Sequence, residues 1–300
     1  MAYRFEAGEP LGAAVHRIVT EEVDAAVVSL ASVAATADPA AVHDVRKRTK
    51  KLRAVCRLLS GAVSNRRRRR AERACAEAAR GLAAARDAEV LGHAAGDLVA
   101  WADAGGHHDR ERVLLAGVPG RPPAVAPGAL DDAAQHASWL LTGVAGEIAT
   151  WPLADGFAVV ADGLGDTYRQ GRRRFRSLRD TTGHLDADAA HQWRKRVKHR
   201  WYHARLLTPV APDALGAEVV LLDELGGILG DDHDLAVLTE ALADDPAAWG
   251  GTANAVELAR LAEARRAEFA GRALELGRQL YVDATRVHVG RMAAWWSGTH

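Results

Sequence analysis

Two eighteen-residue segments of this chain, VHDVRKRTKKLRAVCRLL from Val42 and AHQWRKRVKHRWYHARLL from Ala190, align without a gap. His43 matches His191. Arg46, Lys47, Arg48 and Lys50 match Arg194, Lys195, Arg196 and Lys198, and Arg57-Leu58-Leu59 match Arg205-Leu206-Leu207, all at an offset of 148 residues. A second pair, ARDAEVL from Ala85 and DHDLAVL from Asp232, aligns Asp87, Val90 and Leu91 with Asp234, Val237 and Leu238 at an offset of 147. Chance does not readily set two separate matches at nearly one offset, so the sequence reads as an internal duplication. A chain made twice from one unit folds as two like halves. Such halves pack about a pseudo-twofold axis, which brings matching helices, and here two basic faces, to one site.

Each unit reads as helical. Alanine and arginine are good helix formers, and strand-like alternation is scarce. Helical spacing runs from Leu11 to Val33. Asp38-Pro39 then offers an N-cap with proline at the first helical position, opening a basic helix to Leu59 that Gly61 ends. Further helices are predicted over Arg66–Arg80 and Ala84–Ala102. Residues 103–129, DAGGHHDRERVLLAGVPGRPPAVAPGA, are rich in Gly and Pro and read as a linker with one short helix at most. Helical character resumes at about Leu130, and after Trp151-Pro152 a second series runs to Trp296, where Trp295-Trp296 would anchor the last helix. The expected organisation is one all-α domain over 8–300, with repeat one at 8–105 and repeat two at 130–300.

The repeated helix carries two stripes. Val42, Val45, Thr49, Leu52, Cys56 and Leu59 recur every three or four residues and form a side to bury. His43, Arg46, Lys50, Arg53 and Arg57 form a basic stripe rotated by one residue, about 100°. It flanks the apolar stripe, so long stems can pack on neighbouring helices while their heads converge in a groove. The second copy repeats the basic stripe as His191, Arg194, Lys198 and Arg205, with Trp201 at the position of Arg53. Its apolar stripe, Trp193, Val197, Ala204 and Leu207, is interrupted by Arg200.

Charge makes the stripes functional candidates. Lys and Arg number 39 and Asp and Glu number 39, yet the charges are segregated. Residues 43–80 hold 14 Lys or Arg against three acids, and residues 168–205 hold 12 against three, which leaves the rest of the chain at −20. Two strongly basic places in a neutral chain create a local field suited to a polyanion. RRRRR at 66–70 continues through Arg73 toward Arg80. Five consecutive positions cannot share one face, and Arg70 and Arg73 are its candidate ligand residues. YRQGRRRFRSLR at 168–179 sets Arg169, Arg172, Arg173 and Arg176 on one helical face. Like-charged i,i+4 pairs each cost about 0.2–0.5 kcal/mol, which a fold tolerates when a ligand supplies the negative charge.

Other signals exclude more than they assign. No apolar run has the length of a membrane span, and MAYRFEAGEPL lacks the pattern of a signal peptide. The two cysteines, Cys56 and Cys75, form no CxxC and suit a reduced cytoplasmic protein, with Cys56 reading as core packing. Asp231-Asp232-His233-Asp234 suits a metal site or, better, a helix N-terminus with acidic caps. His43-Asp44 resembles the start of a metal-binding phosphohydrolase motif, but a metal needs further His and Asp ligands. His107-His108-Asp109 reads as solvent-exposed loop. No catalytic residue, metal ligand or cofactor is expected.

The ordered set VHDVRKRTKKLR (42–53), RDAEVL (86–91), HQWRKRVKH (191–199), LGDDHDLAVL (229–238) and ELGRQLY (275–281) resembles the CHAD domain family, named for conserved histidines in an all-α domain. The resemblance runs from about Gly8 to the C-terminus. It implies a pair of helical bundles related by pseudo-twofold symmetry, with a basic central groove or pore. It also implies binding of inorganic polyphosphate and association with polyphosphate granules. The ExExK motif of the triphosphate-tunnel domain often fused to this family does not occur, so the chain resembles the stand-alone form.

Polyphosphate carries about one charge per phosphate and has no bases to read. Arg can grip two oxygens at once and Lys acts as a mobile point charge. The expected ligand residues are therefore the two basic stripes with Lys47 and Lys195, joined by Arg70, Arg73 and the four arginines at 169–176. His43 and His191 can donate to phosphate, more strongly when protonated, or orient their neighbours; both readings stand. A nucleic-acid-binding helical protein is the alternative, poorly served by the few aromatics in the basic windows. A metal-dependent phosphohydrolase is a third reading, for which only Asp231–Asp234 supplies clustered acids.

Overall fold

The computed structural model describes residues 3–6, 8–82, 87–104 and 128–299. Among these residues ten α-helices form and no strand: α1 (Leu11–Thr36), α2 (Pro39–Leu58), α3 (Asn65–Arg80), α4 (Asp87–Ala104), α5 (Asp131–Ala149), α6 (Ala158–Leu178), α7 (Ala187–Leu207), α8 (Pro212–Asp244), α9 (Thr252–Leu280) and α10 (Thr285–Thr299). The all-α reading holds. Local sequence sets the start of α2 as expected, and a second aspartate cap sets that of α7. Asp38 accepts from the Ala40 amide at 3.0 Å ahead of α2, with Pro39 at the first position. Asp186 caps α7 by accepting from the Ala189 amide at 2.8 Å.

Helices α1, α2, α3 and α5 close a four-helix ring in which α1 and α3 each pack on both α2 and α5. The apolar stripe of α2, Val42 through Leu59, is buried in it along its whole length. Fully burying such side chains contributes about 1.5–3 kcal/mol each, so the periodicity alone orients α2. Helices α6, α7, α8 and α9 make a second bundle, with α7 between α6 and α8 and α9 lying along α8. The two bundles share core: Tyr202, Leu206 and Leu207 of α7 join the apolar cluster of the first. Trp296 on α10 packs edge-on to Phe5 and against Phe157, at 6.3 and 6.1 Å between ring centroids, and so anchors the last helix.

Packing does not follow chain order at the linker. Helix α4 lays Ala95, Leu98, Val99 and Ala102 on Leu235, Leu238, Leu258 and Leu261 of α8 and α9. Helix α5 sets Leu141, Val144 and Ile148 into the first bundle. The division of the sequence at 103–129 groups these two helices the other way. Most of that linker, with His107-His108-Asp109, and the start of the Ala84–Ala102 helix lie outside the described residues.

Asp231–Asp234 stand in the middle of α8, which runs unbroken from Pro212 to Asp244, and not at a helix N-terminus. Gly226, Gly227 and Gly230 look like a break in the sequence, but two of them provide room. A Cβ on Gly226 would come within 2.8 Å of Lys198 Cε, and one on Gly230 within 2.6 Å of Arg194 Nη2. The basic side chains of α7 thus lie flat on a glycine face of α8. Asp232 is buried there and accepts from Arg266 Nε at 2.9 Å. Arg200, the interruption in the apolar stripe of α7, is also buried. It donates to Glu218 at 3.0 Å and to the Leu280 carbonyl at 2.7 Å, between the rings of Tyr168 and Tyr281. Among the described residues no helix is long and apolar enough to cross a membrane.

Candidate anion-binding site

Helix α7 is fixed against α2 by His203, whose Nε2–H donates to the Ala54 carbonyl at 2.9 Å. Burial holds the His203 pKa down to about 4, so the ring is neutral and the bond stands at physiological pH. One turn earlier on α7, burial and then Arg57 hold His199 well below the ordinary histidine value. Helix α6 crosses the end of α2 at Gly163, where a Cβ would overlap the Leu58 carbonyl oxygen. Eleven residues on, three helical turns, Arg174 lies on the same face of α6.

These crossings collect Arg53 and Arg57 from α2, Arg68 from α3, Arg174 from α6, and Lys195 and Arg196 from α7. The crowding registers in the proton affinities of Arg57, Lys195 and Arg196. Burial, then Arg57 and Arg174, lower Arg196 to about 10, against the pull of Glu72. Burial, then Arg196 and Arg53, lower Lys195. Burial lowers Arg57 too; Glu72 opposes this, and Arg53 and Arg68 add to it. Glu72 is the carboxylate at the centre, paired with Arg57 at 3.1 Å and also with Arg68. Among the described residues the buried Nε atoms of Arg53, Arg57 and Arg68 have no hydrogen-bond acceptor. The seam between α2 and α7 is therefore a place where like charges are held together by the packing around them.

Of the residues expected from sequence, Arg53, Arg57 and Lys195 meet in this seam. The others spread around it. Arg46 donates to the Ala79 carbonyl at 3.2 Å and Arg194 to the Gly226 carbonyl at 3.4 Å, so each aligned rung grips the helix that follows its own. Lys198 pairs with Asp223 at 3.2 Å and lies 4.7 Å over the Trp201 ring, with Arg205 4.7 Å from that same ring. Lys47 pairs with Asp44 at 3.0 Å, while His43 and Lys50 are exposed on α2. His191 sits 4.3 Å from the ring of His233, and burial with Lys195, His233 and Arg194 lowers it to about 4. It is a neutral donor at physiological pH, not a cation. Arg70 and Arg73 are exposed on α3, as is Arg173 on α6. Arg169 pairs with Asp166, and Arg172 donates to the Tyr281 carbonyl at 3.2 Å. Arg176 faces a separate cleft with Arg179 and Arg278.

Sequence reasoning missed Arg68, Arg174, Arg196 and His199 as members of the seam. Arg196 was within reach, since it aligns with Arg48, but its stripe is not the basic one. Among the described residues no three His, Cys, Asp or Glu side chains are grouped as a metal centre requires.

No curated protein matches the chain. The family model for the CHAD domain matches residues 17–243, which takes in both basic helices and nearly all of α8. A match over most of the 300 residues settles the family, and the chain belongs to the CHAD domain family.

Proposed function

We propose that this protein binds inorganic polyphosphate along the seam between α2 and α7, without turning it over, and that this binding associates it with polyphosphate granules. On this reading the two basic helices are copies of one unit. The observation that carries it is the convergence of six cations from four helices, with Glu72 paired to two of them and Asp188 acting on Lys195. A phosphate chain relieves that repulsion, and each guanidinium can engage two of its oxygens. Counter-ion release drives such binding and makes it steeply dependent on salt. Successive phosphates on one chain gain from effective concentration. Membership in the CHAD family agrees with this reading.

Nucleic acid is less well served. Trp201, on the same helix as the basic stripe of α7, already has Lys198 and Arg205 each 4.7 Å from its ring, where a base would have to stack. The test is calorimetric titration with long-chain polyphosphate at two salt concentrations, on the wild type and on Arg53→Gln with Arg196→Gln. Tight, salt-sensitive binding is expected, weakened at least tenfold in the folded double variant, with no phosphate released. Single-stranded DNA should fail to displace the polymer. A wild type that is folded and does not bind polyphosphate sinks the proposal.

A further inference from the structure

A second cationic site lies away from the seam. Helices α6 and α9 end side by side, and the cleft at their ends, about 420 Å³, is lined by Arg172, Arg176, Arg179, Arg278, Tyr281 and Val282. That volume falls in the range of small-molecule sites, about 300–1,000 Å³. Phe175 also lines it, its ring stacked on that of Tyr281 at 6.0 Å. Val282 is 72% exposed beside them.

Helix C-termini attract cations, and that effect accounts for part of this cluster. Two termini carry about −0.5 charge each. Asp180, paired with Arg179 at 3.2 Å, adds one negative charge. Four guanidiniums against these leave an excess of about two positive charges. Arg172 is fixed by its bond to the Tyr281 carbonyl. Arg176 and Arg278 are exposed and have no ion pair among the described residues. Two features thus coincide: a surplus of phosphate-binding forks and an apolar wall made of the exposed Val282 beside the buried rings of Phe175 and Tyr281. Polyphosphate, which has no apolar part, uses only the first.

We infer that this cleft binds a phosphorylated small molecule with an aromatic body, of the nucleoside polyphosphate class. The phosphates sit among Arg172, Arg176 and Arg278, and the ring system lies against Val282, where the buried Tyr281 and Phe175 line the cleft. The site is distinct from the seam and does not depend on the polyphosphate reading of it.

The experiment titrates ATP and, separately, tripolyphosphate, which carries the same phosphate chain without the nucleoside. The proteins are the wild type, the cleft variant Arg176→Glu with Arg278→Glu, and the seam variant Arg53→Gln with Arg196→Gln. Saturable ATP binding is expected in the wild type and the seam variant, at least tenfold weaker in the cleft variant, with tripolyphosphate binding the cleft at least fivefold more weakly than ATP. Val282→Asp, at an exposed position, gives an independent reading if the double variant does not fold, and it should also weaken ATP. Absence of saturable ATP binding overturns the inference. So does ATP binding lost in the seam variant but kept in the cleft variant. Equal affinity for ATP and tripolyphosphate at the cleft overturns the ligand class, because the apolar wall would then contribute nothing. Long-chain polyphosphate binding lost in the cleft variant overturns its separateness from the seam.

Discussion

Helices α2 and α7 match residue for residue over much of their length, yet aligned cations do opposite jobs. On α2, Arg48 and Lys51 turn into the first bundle, where Glu22 of α1 meets both and Asp44 meets Arg48 again. Their counterparts on α7, Arg196 and His199, turn toward α2 and join the crowded seam. The reverse holds one turn on. Arg53 and Arg57 of α2 face the seam, while their counterparts Trp201 and Arg205 stack on each other beside Tyr3. The neighbour decides. The helix packed before α2 supplies a buried carboxylate; the helix packed before α7 supplies Arg174. A cation becomes structural or available according to what faces it, and residue type along its own helix does not say which.

The structural side of the comparison should show the largest effect. Glu22 is 6% exposed and holds two cations, one of them the buried Lys51. Glu22→Gln leaves the buried Lys51 without its partner and Arg48 with Asp44 alone, and breaking a buried pair from one side costs about 3–5 kcal/mol. Urea unfolding should register that loss while polyphosphate affinity, in protein that remains folded, changes less than threefold. A loss below about 1 kcal/mol would mean that Arg48 and Lys51 are not structural, and the contrast with α7 would fail.

Acid should attack the contact between the two helices. The folded pKa of His203 lies near 4, below the ordinary value of 6.5, and that of His199 is shifted the same way. The unfolded chain therefore binds more protons between these values, so stability falls as pH drops through that window. For the fully buried His203 the shift corresponds to roughly 3 kcal/mol by pH 4. Urea midpoints measured at pH 7 and pH 4.5 should differ accordingly, and His203→Gln, which keeps a donor for Ala54, should flatten the difference. Polyphosphate affinity should stay level between pH 7 and 8, because five of the seam's six cations are arginine, and should fall toward pH 10 as Lys195 and Arg196, both lowered, lose their protons.

How much of this was legible follows from the same contrast. The period of Val42, Val45, Thr49 and Leu52 shows which side of α2 is buried, because apolar burial depends on the helix alone. Asp38-Pro39 gives the start of that helix for an equally local reason. The exchange of α4 and α5 between bundles was not legible, since a helix with an apolar stripe does not state which bundle it covers. Nor was the mid-helix position of Asp231–Asp234. Glycine reads as a break in a sequence, and only the approach of Lys198 and Arg194 shows that Gly226 and Gly230 are spaces. Arg196 and Arg174 fall in the same class: their position in the seam depends on crossings at Ala54–His203 and Leu58–Gly163 that no single segment encodes.

Converting α7 toward α2 sharpens the point. Trp201→Arg installs the residue that α2 has at the aligned position, Arg53. It also removes two cation–π contacts, with Lys198 and Arg205, and sets a third cation between them. Such contacts contribute about 0.5–1 kcal/mol each at accessible sites, so a loss of about 1–2 kcal/mol is expected in urea unfolding. Polyphosphate affinity should not rise, since Trp201 packs on Tyr202, whose ring belongs to the apolar core of the first bundle. A clear gain in affinity would show that alignment, and not the facing helix, sets the role.

Arg196→Gln should have the smallest effect on stability and the opposite sign. Arg196 is crowded by Arg57, Arg174 and Arg53, and Glu72, the carboxylate that opposes them, is already paired with Arg57 and Arg68. Removing one charge from that group relieves more repulsion than it forfeits in attraction, so stability should hold or rise by up to about 1 kcal/mol, a melting shift of a few degrees at most. The same substitution should weaken polyphosphate and reduce the slope of log affinity against log salt by about one, as for the loss of one phosphate contact. A rise in stability together with a shallower slope is the signature of a cation held for a ligand. A fall of more than about 1 kcal/mol with an unchanged slope would put Arg196 with its counterpart Arg48, as a residue that holds the fold together.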